Sequence, residues 1–262
     1  MSSYSFVSKD SIEYLNIEIT TRCSVKCPMC PRTVFPQFLN SKLDMPVSLV
    51  NHLNFSDNLK KIYLTGANGD PIQHPNFHSF LRALKNTTKA QLNINTHGSF
   101  RSKNWWENTL NILSKTDHII FSIDGLEDTN SIYRVHAHWR SIESAVKLSA
   151  QKLQTTWKFI IFKHNEHQIS KAIHLAKSWG VAYFSLKRSD RWSEPYWPKD
   201  NVSDWMEHLR PSEDFVTKDY KDVEGPYSLK RKFNSVFNIN LRTDSLPLYM
   251  QQMKVGETQV GN

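Results

Sequence analysis

After Cys30 the chain contains no cysteine: all three, Cys23, Cys27 and Cys30, lie in the stretch RCSVKCPMCP at residues 22–31. Three thiols so placed cannot build a disulfide framework, and they fall one short of a four-cysteine zinc site or a four-cysteine cluster. Long apolar runs are also missing. HIIFSI and FIIF are among the longest, far below the roughly 20 residues that a bilayer-spanning helix needs. The opening MSSYSFVSKDSIEYL has no basic segment followed by an apolar stretch, so no signal peptide is expected. These absences predict a soluble, cytoplasmic protein without membrane attachment. In that compartment, clustered thiols serve a metal or reactive site.

Net charge is missing from the C-terminal third. From Lys187 onward, 7 Lys and 5 Arg balance 7 Asp and 5 Glu, so the net +8 of the 262-residue chain resides in residues 1–186. A basic body can attract nucleic acid, an acidic peptide or an anionic cofactor. Here the Lys and Arg residues are scattered rather than massed, which favours plain solvation, and nucleic acid is not the expected partner.

What is present is a globular composition, 39% hydrophobic and 22% charged. Short apolar runs rich in Ile, Val, Phe and Tyr alternate with amphipathic segments. Strands are predicted at 14–20, 61–65, 91–96, 118–124, 157–163 and 181–187. PVSLVNHL predicts a helix with Pro46 at its first position. Further helices are predicted in NFHSFLRALKN, through Phe77, Phe80, Leu81 and Leu84, and in NWWENTLNILSK, through Trp106, Leu110 and Leu113. SIESAVKLSAQKL supplies another, and HQISKAIHLAKSWG aligns Ile169, Ala172, Ile173 and Ala176 before Gly180 as a stop. Six β-then-α units in series imply a parallel sheet with right-handed crossovers. Periodicity alone leaves an open doubly wound sheet and a partial barrel both standing. Residues 188–262 break the pattern and form a predicted C-terminal extension, packed on the barrel or capping a substrate, with the last ten residues mobile.

The cysteines follow the first predicted strand with the spacing C-x3-C-x2-C, at the end where α/β folds place their chemistry. Three thiolates can converge on one inorganic centre. On a four-iron cluster they leave one iron without a protein ligand, free to take a small molecule.

That motif, after the first strand of a β/α repeat, resembles the radical S-adenosylmethionine (radical SAM) superfamily. The resemblance implies a [4Fe–4S] cluster held by Cys23, Cys27 and Cys30, with SAM chelating the fourth iron. It implies reductive cleavage of SAM to a 5′-deoxyadenosyl radical, an electron donor such as flavodoxin or ferredoxin, and a partial (β/α)6 barrel. TGANGDPIQHP is similar to the family's Gly-Gly-Glu-Pro turn, which gives Gly69 and Asp70 the place that holds the SAM amino group. Ala67, Asn68 and the shorter acid are departures from that turn. NTHGS resembles the Thr-Asn-Gly turn, with His97 for Asn. SIDGLEDTNSIYR is close to the Ser-Ile-Asp-Gly segment of peptide-modifying members, which implies SAM contacts at Ser122 and Asp124. Met29 matches an apolar position against adenine. Relatives with the SIDG turn often carry a C-terminal SPASM or twitch extension with auxiliary-cluster cysteines; this chain has none, so one cluster is implied. The substrate, a peptide, sugar or nucleoside-like precursor, is not disclosed.

Plainer readings stand beside these. A zinc site of the three cysteines completed by a histidine such as His97 is one alternative, a zinc- or cluster-bearing nucleic-acid-binding protein without turnover is a second, and a scaffold that binds a cluster without cleaving SAM is a third. Asp70 can simply cap a turn, and Ser122 and Asp124 can simply end a strand. His97 reads first as pocket-lining or structural, and His136 and His138 as surface. His164 and His167 are candidate substrate contacts at the barrel mouth. Trp192, Tyr196, Trp197 and Trp205 read first as packing of the extension.

Overall fold

The fold was read from a computed structural model, which describes residues 8–36, 42–189, 208–212 and 236–240. Seven strands form one sheet in chain order: β1 (Tyr14–Ile17), β2 (Lys61–Leu64), β3 (Gln91–Thr96), β4 (His118–Ser122), β5 (Gln154–Ile161), β6 (Tyr183–Arg188) and β7 (Val236–Asn240). The first six pair in parallel; β7 adds to the β6 edge in the antiparallel sense. The helices are α1 (Pro31–Val34), α2 (Ser48–His52), α3 (Phe77–Thr87), α4 (Lys103–Ile112), α5 (Asn130–Tyr133), α6 (Trp139–Lys152) and α7 (Ile169–Ser178).

Strand register decides between the two architectures that periodicity leaves standing. Ile17, Leu64, Ile94 and Ile119 stand side by side across β1 to β4, and Trp157 faces Phe184 across β5 and β6. Paired residues share a face, and all of these join one buried cluster with Phe80, Trp106, Val146 and Ile173 from the helices. Helices therefore cover a single face, as in a barrel, whereas a doubly wound sheet is covered on both. The other face carries alternate residues such as Asn16, Tyr63, Asn93 and Thr156 and leads to the strand ends. The fold is α/β, an open partial barrel of six parallel strands.

Helix chemistry follows the predicted faces. Phe77, Phe80, Leu81 and Leu84 of α3 are all buried, each worth about 1.5–3 kcal/mol of transfer free energy. Ser102 caps α4 by accepting from the Trp105 N–H. Past α7, Gly180 takes φ 79° and donates to the Lys177 carbonyl, while Val181 donates back to Ala176.

Some boundaries differ. The helix predicted from Pro46 begins at Ser48, with Val47 as its N-cap. β1 ends at Ile17 rather than residue 20, because Glu18 turns to accept from the Ala67 and Asn68 N–H groups. β5 starts at Gln154, three residues early. Two parts of the extension are described. Leu209 packs against the apolar side of the cysteine loop, and Val236–Asn240 lengthens the core sheet. The expectations for Trp192, Tyr196, Trp197, Trp205 and the last ten residues lie outside the described residues.

Candidate active site

The cysteine loop leaves β1 and is tied down by its backbone. Lys26 N–H donates to the Val135 carbonyl at 3.0 Å, and Cys30 N–H to the Cys27 carbonyl at 3.1 Å. Arg32 reaches back to the carbonyls of Val25 and Cys23, both at 3.4 Å. Pro31 then opens α1, with Cys30 as N-cap. Val25, Cys27, Met29, Tyr133, Phe162 and Leu209 form a small apolar cluster beneath the loop. All three cysteines and Met29 line one cavity of about 350 Å³ among the strand ends. Burial pushes the Cys23 thiol up to about 12, helped by Asp70, and it also raises Cys27. Without a metal these thiols stay protonated, and a metal centre must displace those protons.

The turn after β2 presses against this loop. Asp70 N–H donates to the Arg22 carbonyl at 2.8 Å, and a Cβ on Gly69 would run into the Thr20 carbonyl oxygen. Only glycine allows that approach. The Asp70 carboxylate is buried and organises two turns. Oδ1 accepts from Ile72 N–H at 3.1 Å, and Oδ2 from Thr96 Oγ1 at 3.0 Å and His97 N–H at 2.8 Å. Three of its roughly four acceptor positions are thereby filled, and the group still borders the cavity. Nearby, Asn95 Oδ1 is buried on the cavity wall with no hydrogen-bond partner. An orphaned acceptor beside a carboxylate suits a ligand carrying ammonium or hydroxyl donors.

His97 is a structural residue in this geometry. Its Nδ1 accepts from Ser99 N–H at 3.0 Å, so Nε2 carries the hydrogen of the neutral ring, 3.2 Å from both Ser24 Oγ and Asp70 Oδ2. Burial lowers its pKa, which keeps the ring neutral. Neither nitrogen is left for a metal, which removes the reading of a zinc site with His97 as its fourth ligand. Among the described residues, no three His, Cys, Asp or Glu side chains are grouped to hold a single ion. A four-iron cube spreads its thiolates more widely than one tetrahedral ion does, and the three cysteines around one cavity fit the larger centre.

The turn after β4 departs from the residue roles that the resemblance implies. Ser122 lines the cavity, but Asp124 is fully buried away from it. Every polar atom of Asp124 is engaged within the chain. Oδ2 accepts from Arg134 Nε at 2.7 Å and Oδ1 from Ile160 N–H at 2.7 Å. Its N–H donates to Asn130 Oδ1 and its carbonyl accepts from Asn165 Nδ2, both at 2.9 Å. Asp124 is not among the residues that line the cavity. The task of Asp124 is to hold Arg134, whose Nη1 donates to Cys27 Sγ at 3.4 Å. Arg134, Glu18 and Asn95 are site residues that the sequence alone does not single out. Arg134 stands in the quoted SIDGLEDTNSIYR segment but meets Cys27 across 107 positions.

The remaining histidines do not join the site. His138 caps α6 by accepting from Ser141 N–H, and His136 is exposed. His164 stacks on Phe162 at 5.5 Å, and burial lowers its pKa to about 4. Neither His164 nor His167 lines the cavity.

No protein-family model matches the chain. It is 28% identical over 126 residues to the tungsten-containing aldehyde ferredoxin oxidoreductase cofactor-modifying protein of Pyrococcus furiosus, covering 46% of this chain and 33% of that protein. Its structure is similar to Streptococcus suis SuiB, with a TM-score of 0.57, 15% identity, and 78% of this chain and 43% of SuiB covered. SuiB bound to S-adenosylmethionine matches with a TM-score of 0.55 and 16% identity, over 71% of this chain and 41% of SuiB. Native anSMEcpe with bound AdoMet matches with a TM-score of 0.52 and 13% identity, over 68% of this chain and 51% of that one. The chain thus spans about a third of the Pyrococcus protein and two-fifths to one-half of these structures. It has the partial-barrel fold of SuiB and anSMEcpe, the fold that its cysteine motif and strand-end turns lead one to expect of a radical SAM protein.

Proposed function

We propose that the protein is a radical SAM enzyme, with Cys23, Cys27 and Cys30 holding a [4Fe–4S] cluster and SAM lying in the cavity beside them. The carrying observation is that all three thiols line the cavity bordered by Gly69, Asp70 and Ser122. When bound, the cluster supplies the electron that cleaves SAM to methionine and a 5′-deoxyadenosyl radical, which takes a hydrogen atom from the substrate. The chain's own part is to bind and orient. Gly69 lets the turn close on the cysteine loop, and Asp70 keeps one acceptor position for the SAM ammonium. Met29 offers an apolar wall for adenine, Ser122 a hydroxyl, and Asn95 Oδ1 an unpartnered acceptor. The electron comes from a flavodoxin- or ferredoxin-type donor, and an oxygen-sensitive centre of this kind belongs in the reducing cytoplasm. No helix among the described residues is long and apolar enough to cross a membrane.

A peptide is the proposed substrate. The SIDG turn resembles peptide-modifying enzymes, and the fold likeness extends to SuiB bound to precursor peptide SuiA, with a TM-score of 0.52 and 18% identity. Anaerobic reconstitution followed by dithionite reduction tests the reading: about four irons per chain and 5′-deoxyadenosine released from SAM are expected. Stoichiometric zinc in place of iron overturns it. Cluster uptake without deoxyadenosine reduces the protein to a non-catalytic scaffold. Among candidate peptides, the substrate is the one that accelerates deoxyadenosine release.

A further inference from the structure

The Asp124–Arg134 pair is costly to bury, which asks for a purpose. Asp124 is fully buried and Arg134 has 15% of its side chain exposed, bordering the cavity. A guanidinium is not deprotonated in proteins, and the Asp124 carboxylate lies 2.7 Å from this one, so Arg134 is permanently charged. Two contacts aim that charge. Asp124 takes Nε, and Asp124 is itself fixed by the Ile160 N–H at the end of β5. The Tyr133 ring lies 5.3 Å from the guanidinium carbon. With Nε held, Nη1 points at Cys27 Sγ, and the adjoining Val135 carbonyl holds the cysteine loop through Lys26. Arg contacts both partners from one rigid, planar fork, whereas a lysine ammonium is a point charge on a flexible stem.

We infer that Arg134 is a positioning residue that acts through Cys27 to set the reduction potential of the cluster, with Asp124 as its anchor. The inference rests on the cluster reading above. When one electron enters from an external one-electron reductant, the cluster and its thiolates gain negative charge and no bond is broken. A cationic N–H donor at a ligating sulfur stabilises that more negative state, because hydrogen bonds to the sulfurs and local charge both tune such potentials. Arg134 therefore raises the potential, which eases reduction of a centre that otherwise resists it.

The test is an EPR-monitored potentiometric titration of the full chain, reconstituted anaerobically. Arg134→Lys keeps a cation but loses the fork, and its midpoint is expected to shift to more negative values. Asp124→Asn with Arg134→Gln removes both charges together and leaves neither orphaned, so the fold survives; its midpoint is expected to shift further the same way. Unchanged midpoints in both variants at wild-type iron content overturn the inference and leave the function reading intact. Loss of cluster uptake in both folded variants assigns Arg134 to assembly and also overturns it. A wild-type chain that takes up no cluster removes the function reading and the inference together.

Discussion

Asp70 and Asp124 look alike in the sequence. Each lies in the turn that follows a strand, each adjoins a glycine, and each is buried; the turns after β2 and β4 nevertheless put them to different use. Asp70 collects neutral donors, Ile72 N–H, Thr96 Oγ1 and His97 N–H, and keeps a face on the cavity. Asp124 meets a guanidinium and does not border the cavity. The difference lies in which partner the next element delivers. β3 brings the Asp70 turn a hydroxyl and an amide, which leave its negative charge available to a cationic ligand. α5 and the residue after it bring the Asp124 turn a full positive charge, which consumes it.

The comparison is broken most forcefully by removing one acid at a time. Asp124→Ala leaves Arg134 charged and buried without its partner, a change that typically costs about 3–5 kcal/mol. Urea unfolding of the metal-free protein should show a midpoint well below that of wild type. Asp70→Asn keeps the shape and strands no ion, so its loss should be smaller, about 1–3 kcal/mol from donors set against an amide. Equal losses would mean that the two turns are energetically alike.

SAM binding should reverse the ranking. A hydrogen bond to a charged group is worth about 1.5–3 kcal/mol, so Asp70→Asn should weaken SAM binding to the cluster-loaded protein roughly 10- to 100-fold. Asp124→Asn should change it by no more than about twofold, since Asp124 does not border the cavity. Equilibrium dialysis with labelled SAM measures both. A large loss in Asp124→Asn alone would return Asp124 to the cofactor.

The contrast also marks how far the sequence reaches. Six strands and the longer helices are legible because each buries an apolar face within one short window, as Phe77, Phe80, Leu81 and Leu84 do. The cysteine loop is legible because its three ligands sit within a single turn. β7 is not, since its edge pairing with β6 lies more than 40 positions away. α1 and α5, at 4 residues each, carry too few residues for a period to show. The turn after β4 is visible as a turn, but its chemistry is set by Arg134 Nε, Ile160 N–H and Asn165 Nδ2, which only the folded chain assembles. A local motif locates an acid at a strand end; it does not state which donors fill it.

His118, at the start of β4 and thus at the opposite end from Asp124, provides the smallest expected effect. Its Nε2 lies 2.8 Å from Thr156 Oγ1, and burial, helped by Lys61, lowers its pKa to about 4. The unfolded ring, near 6.5, therefore binds its proton more readily than the folded one. Between pH 6.5 and about 4, acid favours the unfolded chain, so the stability contributed by neutral His118 is complete above 6.5 and drains away as pH falls. Linkage makes this roughly 1–2 kcal/mol once partial exposure is allowed for. His118→Gln preserves a partner for Thr156 without titrating. Its urea midpoint should lose part of the decline between neutral and acid pH, while SAM binding at neutral pH stays as in wild type, because no turn at the cavity is touched. An unchanged pH slope in His118→Gln would mean that acid sensitivity originates at the cavity end, where burial also lowers the pKa of His97, and the two ends of the barrel would then exchange roles.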